Sequence, residues 1–242
     1  MSGLLTGVNN GATAADVSDL AIDADRVSLA VAWSQSGSTS RDIYVKQLNG
    51  SVWQEVDGSA SGAGISGSAE RDYAPSIAWH GGQLFVAWTQ EALESNEQSS
   101  QIVARRLAGA TWDPVVFDRG FASNLADAVV HSSQPKLVSS PSDLTIVWSE
   151  DLSRTGFAER NGIYSLVWDV NHFSPPFANA SDAIGLGVSH TGGNITSMAV
   201  AANAAGQPAV VWVDSHDGQP KLYLRSNAVG VGAVNSVASS VA

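Results

Sequence analysis

Three acidic clusters stand out in a chain that otherwise uses little charge. Glu91, Glu94 and Glu97 fall in one polar stretch. Glu150, Asp151 and Glu159 fall in a second, with Arg154 and Arg160 among them, and Asp214, His216 and Asp217 fall in a third. Carboxylates grouped in this way suit three kinds of chemistry. They hydrogen-bond sugar hydroxyls, with Tyr73 or Phe157 as a stacking surface. They offer oxygens to Ca²⁺, which takes about six to eight of them, and here Asp214 and Asp217 are the pair for a cation. Facing each other at about 5–9.5 Å, with one carboxyl held protonated, a pair of them cleaves a glycosidic bond. Glu150, Asp151 and Asp214 are the set for that role, since Glu150 and Asp214 both follow a tryptophan by two residues.

A plainer expectation stands beside these. Charge on exposed loops keeps a protein soluble, and VDSHDG, ending at Gly218, has the residues of a tight turn. The five histidines, His80, His131, His172, His190 and His216, have no metal-ligand spacing. No nucleophile elbow, phosphate loop or dinucleotide fingerprint is present. GLGVSHTGGN is glycine-rich without a helix to follow it, and reads as a flexible connection.

What positions the clusters is a repeat. LAVAWSQ, LFVAWTQ, LTIVWSE and PAVVWVD occur at Leu29–Gln35, Leu84–Gln90, Leu144–Glu150 and Pro208–Asp214. Their tryptophans, Trp33, Trp88, Trp148 and Trp212, lie 55, 60 and 64 residues apart. Both faces of each phrase are apolar, which marks a strand buried between layers. A shorter strand precedes each phrase, an alternating one follows it, and a fourth containing SVWQEV, ATWDPVVF or FSPPF comes next. Four antiparallel strands repeated at this period describe an all-β fold, a β-propeller of four-stranded antiparallel blades. About four blades are expected, in units near 16–60, 73–120, 133–178 and 194–242, with 1–15 as a terminal closure segment of the single domain. Each tryptophan is expected to fill the gap between adjacent blades.

Loop lengths then assign a face. First-to-second and third-to-fourth turns are short (DADR, HGG, LNG, LAG), whereas the other connections are long and carry the acidic clusters. Long loops on one side of a rigid scaffold are where binding is expected.

The turns KQLNGSVW and RRLAGATW resemble the Asp-box of sialidase-like and related carbohydrate-active propellers, Ser-x-Asp-x-Gly-x-x-Trp. Gly50 and Trp53, and Gly109 and Trp112, match its end; Lys46, Leu48, Arg105 and Leu107 replace its Ser and Asp. The blade style is also similar to that of propeller lectins. The resemblance implies a propeller that recognises glycans. It does not extend to sialidase activity, because the nine arginines are not placed in equivalent strands as a carboxylate clamp requires.

Composition narrows the partners. The net charge of −11, from 23 acidic against 12 basic residues, leaves no stripe to neutralise a nucleic-acid backbone. There is no cysteine for disulfides or thiolate metal sites. No apolar run approaches the ~20 residues of a membrane span, and the first residues contain no signal peptide. An extracellular or bacterial cell-surface setting is expected, with any export signal outside these residues.

Together these readings lead to a non-enzymatic binding module that recognises glycan or protein through its long-loop face. Tyr73, Glu91, Glu150, Asp151, Arg154, Arg160, Asp214 and His216 are its ligand-binding residues. No cofactor beyond a possible Ca²⁺ is expected. Two alternatives stand beside it: a glycoside hydrolase-like enzyme with paired acidic residues, and a structural propeller segment. Homo-oligomers through ring closure or blade-edge pairing fit any of the three.

Overall fold

The computed structural model describes Val8 and residues 16–37, 40–92, 99–117, 131–151, 162–169, 172–174, 188–189, 194–203, 208–215, 218–226 and 235–236. Among these residues every regular element is a strand. No helix is long and apolar enough to cross a membrane among the described residues.

Four antiparallel meanders follow one another. The first is β1 (Val17–Ala24), β2 (Leu29–Ser36), β3 (Arg41–Asn49) and β4 (Val52–Gln54). The second is β5 (Arg71–His80), β6 (Gln83–Ala92), β7 (Ser99–Ala108) and β8 (Thr111–Pro114), with β9 (Val116–Phe117) after it. The third is β10 (His131–Ser139), β11 (Leu144–Asp151), β12 (Gly162–Asp169) and β13 (His172–Ser174). The fourth is β14 (Ile195–Ala202), β15 (Pro208–Asp214), β16 (Lys221–Ser226) and β17 (Asn235–Ser236). The first strands pack on one another in succession, β1 on β5, β5 on β10 and β10 on β14. This is the radial arrangement of a β-propeller, and each meander is a blade.

The tryptophan phrase is the second strand of every blade, and register explains why both its faces are apolar. In β2, Ala30 and Ala32 point to one side and Val31 and Trp33 to the other. Trp33, Trp88, Trp148 and Trp212 are all buried. At ~150–250 Å² of ring each and ~25 cal/mol per Å², one such burial contributes about 4–6 kcal/mol at most. In three blades the residue opposite on the third strand is a tyrosine stacked on the indole: Trp33 with Tyr44, Trp148 with Tyr164, Trp212 with Tyr223, at centroid separations of 5.8, 5.9 and 5.7 Å. In the second blade that residue is Val103.

Each described seam between blades follows one rule. The tryptophan face of one blade lies on the aliphatic face of the blade before it. Trp88 packs among Ala30, Ala32, Ile43 and Val45. Trp148 packs among Phe85, Ala87, Ile102 and Ala104, and Trp212 among Val147 and Ile163.

Two connections differ from expectation. The long segment after β4 is not a free decorating loop but is docked on β3. Val45 N–H donates to Ser59 O (2.8 Å) and Ile65 N–H to Ile43 O (2.8 Å), with Ile65 only 2% exposed. Gly64, at φ +60°, allows the close approach, because a side chain there would run into the Ile43 carbonyl. Within the stretch expected to be a flexible connection, Val188 and Ser189 repeat this docking on β12. Val188 N–H donates to Ile163 O, and Ser189 Oγ accepts from Ile163 N–H at 3.2 Å. Ser66 Oγ makes the matching bond to Ile43 N–H (3.1 Å).

Candidate active site

The polar end of the propeller is built by an irregularity common to all four first strands. Pairing slips between Ser18 and Ala21 in β1, Tyr73 and Ser76 in β5, Ser133 and Lys136 in β10, and Ile195 and Ser197 in β14. In three of these bulges the extra residue is left-handed: Asp19 (φ 51°), Ala74 (φ 52°) and Gln134 (φ 56°). A non-glycine residue in that region costs roughly 1–2 kcal/mol, so something must return it. The return is a hydrogen bond across the seam. Ala74 N–H, freed from the ladder, donates to the Asp19 carboxylate of the blade before. Gln134 N–H donates to Thr89 Oγ1 (3.2 Å), and Leu137 N–H to Ser76 Oγ (2.9 Å).

Asp19 is the best-anchored carboxylate at this end. Burial alone would raise its pKa. The Ser34 and Ser18 hydroxyls, Ala74 N–H and the Arg41 guanidinium outweigh that and hold it below its ordinary value. Ser34 Oγ donates to Asp19 Oδ2 at 2.8 Å, and Arg41 reaches Asp19 at 3.6 Å and Asp16 at 3.0 Å. Beside it lies half-buried Tyr73, whose hydroxyl is pushed upward by burial, then by Glu91 and Asp19. Glu91 faces Arg71 at 3.8 Å.

In the first three blades the position two residues after the tryptophan has a structural duty that sequence reasoning missed. It provides or supports an acceptor for the indole N–H. Trp33 Nε1 donates to Gln35 Oε1 (3.2 Å) and Trp148 Nε1 to Glu150 Oε2 (2.8 Å). In the second blade Trp88 Nε1 donates instead to Asp72 Oδ1 (2.8 Å), and Gln90 donates to the same oxygen (3.2 Å). Asp72 is wholly buried; burial raises its pKa more than the bonds from Ser68, Ser66, Trp88 and Gln90 lower it. Ser66 Oγ, whose one proton is shared between Asp72 and Asp42 (3.2 Å, 3% exposed), sits between these two carboxylates where the first two blades join.

Between the third and fourth blades the bulged end opens into a cavity of about 350 Å³. His131, Ser133 and Gln134 of β10 form one wall, Ser149, Glu150 and Asp151 of β11 the floor, and Asn194 with Ile195 of β14 the other wall. Register aligns His131 with Asp151 and Ser132 with Glu150. Ser132 Oγ donates to Glu150 Oε2 (3.2 Å), the oxygen that also accepts from Trp148. Hydroxyls, two amides, an imidazole and two carboxylates therefore line a volume large enough for a sugar ring.

The sequence-derived residues divide accordingly. Glu150 and Asp151 line the cavity together. Tyr73 and Glu91 stand at the second blade's bulge. Asp214, expected at the mouth of a channel, is 0% exposed and packs opposite Ile195, so it meets no ligand from solvent. Arg154, Phe157, Glu159, Arg160, Glu94, Glu97, His216 and Asp217 lie outside the described residues. Among the described residues no three His, Asp or Glu side chains converge as a metal ion needs. Asp19 and Asp72 were missed. The signal available for the bulges was the proline directly after Ala74 and after Gln134, since proline inside a strand marks an edge or a bulge.

No protein-family model matches the chain, and no curated protein matches it in sequence. Solved structures do match. A thermostable family-43 glycoside hydrolase superposes with TM-score 0.53 at 11% identity, over 91% of this chain and 74% of that one. A family 117 glycoside hydrolase from the marine bacterium Zobellia galactanivorans gives 0.51 at 9%, over 96% and 73%. The family 93 α-L-arabinofuranosidase of Fusarium graminearum gives 0.51 at 12%, over 92% and 67%. At such identities the likeness establishes the propeller fold.

It also corrects two expectations. The resemblance to sialidase-like and lectin propellers holds for the propeller alone. Gly50 and Gly109, at φ 63° and 68°, are the positive-φ residues of two-residue hairpin loops, and Trp112 is a buried seam residue, so the apparent Asp-box remnant is turn and core. The expectation of a non-enzymatic binding module is corrected as well: the propellers that match are glycoside hydrolases, not binding modules.

Proposed function

We propose that this chain, a single propeller domain over residues 1–242, is a carbohydrate-active hydrolase that cleaves a glycosidic bond in the cavity between its third and fourth blades. The observation that carries the reading is the meeting of Glu150 and Asp151 with His131, Gln134 and two serine hydroxyls around about 350 Å³. The names of the similar propellers support it independently of that geometry.

The chemistry needs two carboxyl groups, one donating a proton to the departing oxygen and one attacking the sugar or activating water. Glu150, held in place by hydrogen bonds from Ser132 and Trp148, is the candidate for the attacking or water-activating role. Asp151, next in sequence and lining the same cavity, is the candidate proton donor. Hydroxyls of Ser133 and Ser149, bonded to each other at 3.0 Å, are placed to meet sugar hydroxyls. A glycan is the partner.

The test is turnover of a panel of aryl glycosides and polysaccharides, beginning with aryl α-L-arabinofuranosides because one similar structure is named for that activity. Glu150→Gln and Asp151→Asn should each lower kcat by about 10²–10⁴-fold, the usual worth of a positioned acid or base. Gln at 150 still accepts from Trp148, so the fold should survive. A panel without turnover, or variants as fast as the parent, would remove the proposal.

A further inference from the structure

Ser66 stands between two buried carboxylates with a single proton to give. Asp42 of β3 is 3% exposed and Asp72 of β5 is 0% exposed. Ser66 Oγ donates to Asp42 Oδ1 at 3.2 Å, lies within hydrogen-bonding reach of the Asp72 carboxyl, and accepts Ile43 N–H at 3.1 Å. The other partners of the pair are fixed. Ser40 Oγ donates to Asp42 Oδ2 (2.8 Å). Trp88 Nε1 and Gln90 Nε2 donate to Asp72 Oδ1 (2.8 and 3.2 Å), and Ser68 Oγ donates to Asp72 Oδ2 (2.7 Å). Were both carboxyls ionised, one would lose the Ser66 bond, and two charges would sit in the seam. Among the described residues no arginine or lysine forms an ion pair with either. Burial of charge on those terms is costly.

A proton on Asp72 removes the conflict. Two donors already occupy Oδ1, so the proton sits on Oδ2 and points to Ser66 Oγ. A hydroxyl oxygen takes two hydrogen bonds, and Ile43 N–H uses one of them. Ser66 then directs its own proton to Asp42, and every group has a partner. Burial, the largest influence on Asp72, raises its pKa in agreement with this count. The titratable groups on the surrounding elements are engaged elsewhere. Arg41 binds Asp16 and Asp19, Arg71 faces Glu91, and Lys46 has Glu55 as its charged neighbour. Asp57 accepts Trp112 N–H, and Glu70 gives its N–H to Ser68 Oγ. Tyr44 and Tyr73 are both pushed upward by burial, so neither titrates near neutrality.

We propose that Asp42 and Asp72 hold one proton between them across Ser66, and that this proton clasps the 59–68 segment and the second blade onto β3. Loss of the proton opens the segment, so the joint between the first two blades is a pH-sensitive device. Tyr73 and Glu91 follow directly on Asp72 and Gln90, so opening reaches the polar end of the propeller. The device is independent of the hydrolase reading.

NMR on the parent protein, labelled at aspartate carboxyl carbons and isoleucine amides, reads both halves. Between about pH 4 and about pH 8 the Asp72 carboxyl carbon should titrate above the ordinary value of 3.8. A group whose folded pKa is raised contributes its stability fully below the unfolded value and loses it as pH rises through the folded one. Hydrogen-exchange protection at Ile43 and Ile65 N–H, after allowing for base catalysis, should therefore fall about tenfold per pH unit until the folded value is passed, then level off. Val86 N–H, in the central ladder of β6, is the reference. Asp72→Asn, whose amide donates to Ser66 as the protonated acid does, should hold protection level throughout. The parent's own titration decides the matter if that variant folds poorly. An Asp72 carbon that reads ionised across the range would overturn the proposal. Protection that stays level while the carbon titrates, or an Asp72→Asn variant that still loses protection as pH rises, would do the same.

Discussion

Gly64→Ala is a stringent test of how the first blade is held together. Gly64 sits at φ +60°, and a Cβ built there overlaps the Ile43 carbonyl oxygen, lies 2.9 Å from its carbon and 3.3 Å from the Tyr44 ring. The oxygen is backbone in the middle of β3 and cannot swing aside as a side chain would. It also accepts Ile65 N–H at 2.8 Å, while Ser66 Oγ accepts Ile43 N–H at 3.1 Å. Relieving the overlap means lifting the 64–66 segment off the strand, which loses both bonds. Two net hydrogen bonds at about 0.5–1.5 kcal/mol each, plus about 1–2 kcal/mol for alanine in a left-handed conformation, give a loss of roughly 2–5 kcal/mol. Gly62→Ala is the internal control: φ is +55° there, but nothing lies within 4 Å of the added carbon. It should lose only the backbone part, about 1–2 kcal/mol. Urea unfolding with linear extrapolation measures both, and a common m-value would show that the same surface is being exposed. A Gly64 variant no less stable than the Gly62 variant would refute the claim that this segment is docked on β3 rather than lying loosely over it.

Asp72→Asn tests the buried seam carboxylate through pH. Its folded pKa is raised, so the stability it contributes is fully present below its unfolded value of 3.8 and is lost as pH rises through the folded value. The asparagine variant should therefore gain on the parent in melting temperature as pH rises from 4 to 7; a constant difference across that range would sink the assignment. Ser76→Ala strips the acceptor from Leu137 N–H in a buried seam and should cost about 1–3 kcal/mol in the same urea assay. A cost within measurement error would show that the bulge bond carries no stability. Trp112→Phe removes the N–H that reaches Val56 O at 3.0 Å while keeping an aromatic ring in the seam. About 1 kcal/mol should be lost, with circular dichroism unchanged, and a larger loss would mean that ring volume rather than the bond is what the site requires.

Most of the architecture could be read from the repeat because a propeller blade is local. Its strands are consecutive, so apolar period, turn residues and tryptophan spacing all act within about 60 residues of chain. The tyrosine of DIYV, GIYS and KLYL falls opposite the tryptophan in three of the four blades for the same reason. Loop destiny was not legible. SASGAGISGS has the composition of a mobile connection, and only its contacts with Ile43 and Val45 of β3 make it part of the blade. Two glycine-rich stretches with similar cores, GIS and GVS, dock the same way, a repeat that could have been noticed but sat outside the strands.

The site was half legible, and the reason lies in what a carboxylate is used for. Glu150 and Asp214 occupy equivalent places after the tryptophan, so sequence treated them alike. Blade packing separates them. Glu150 lies where the third and fourth blades part and receives both an indole N–H and a serine hydroxyl at the floor of a cavity. Asp214 lies where the fourth blade is closed over, with no exposed surface. The same repeat position is thus sealed from solvent in one unit and lines a cavity in another. Asp19 makes the point from the other direction. It is one more aspartate in DLAIDADR until the bulge turns its neighbourhood into Ser18, Ser34, Arg41 and the Ala74 N–H. Bulges let a repeat scaffold offer different chemistry at each blade, because they release a backbone N–H and redirect a side chain while the rest of the strand keeps its pairing. A scan of repeat proteins for proline just inside the first strand would therefore locate the functional end sooner than a count of acidic loops.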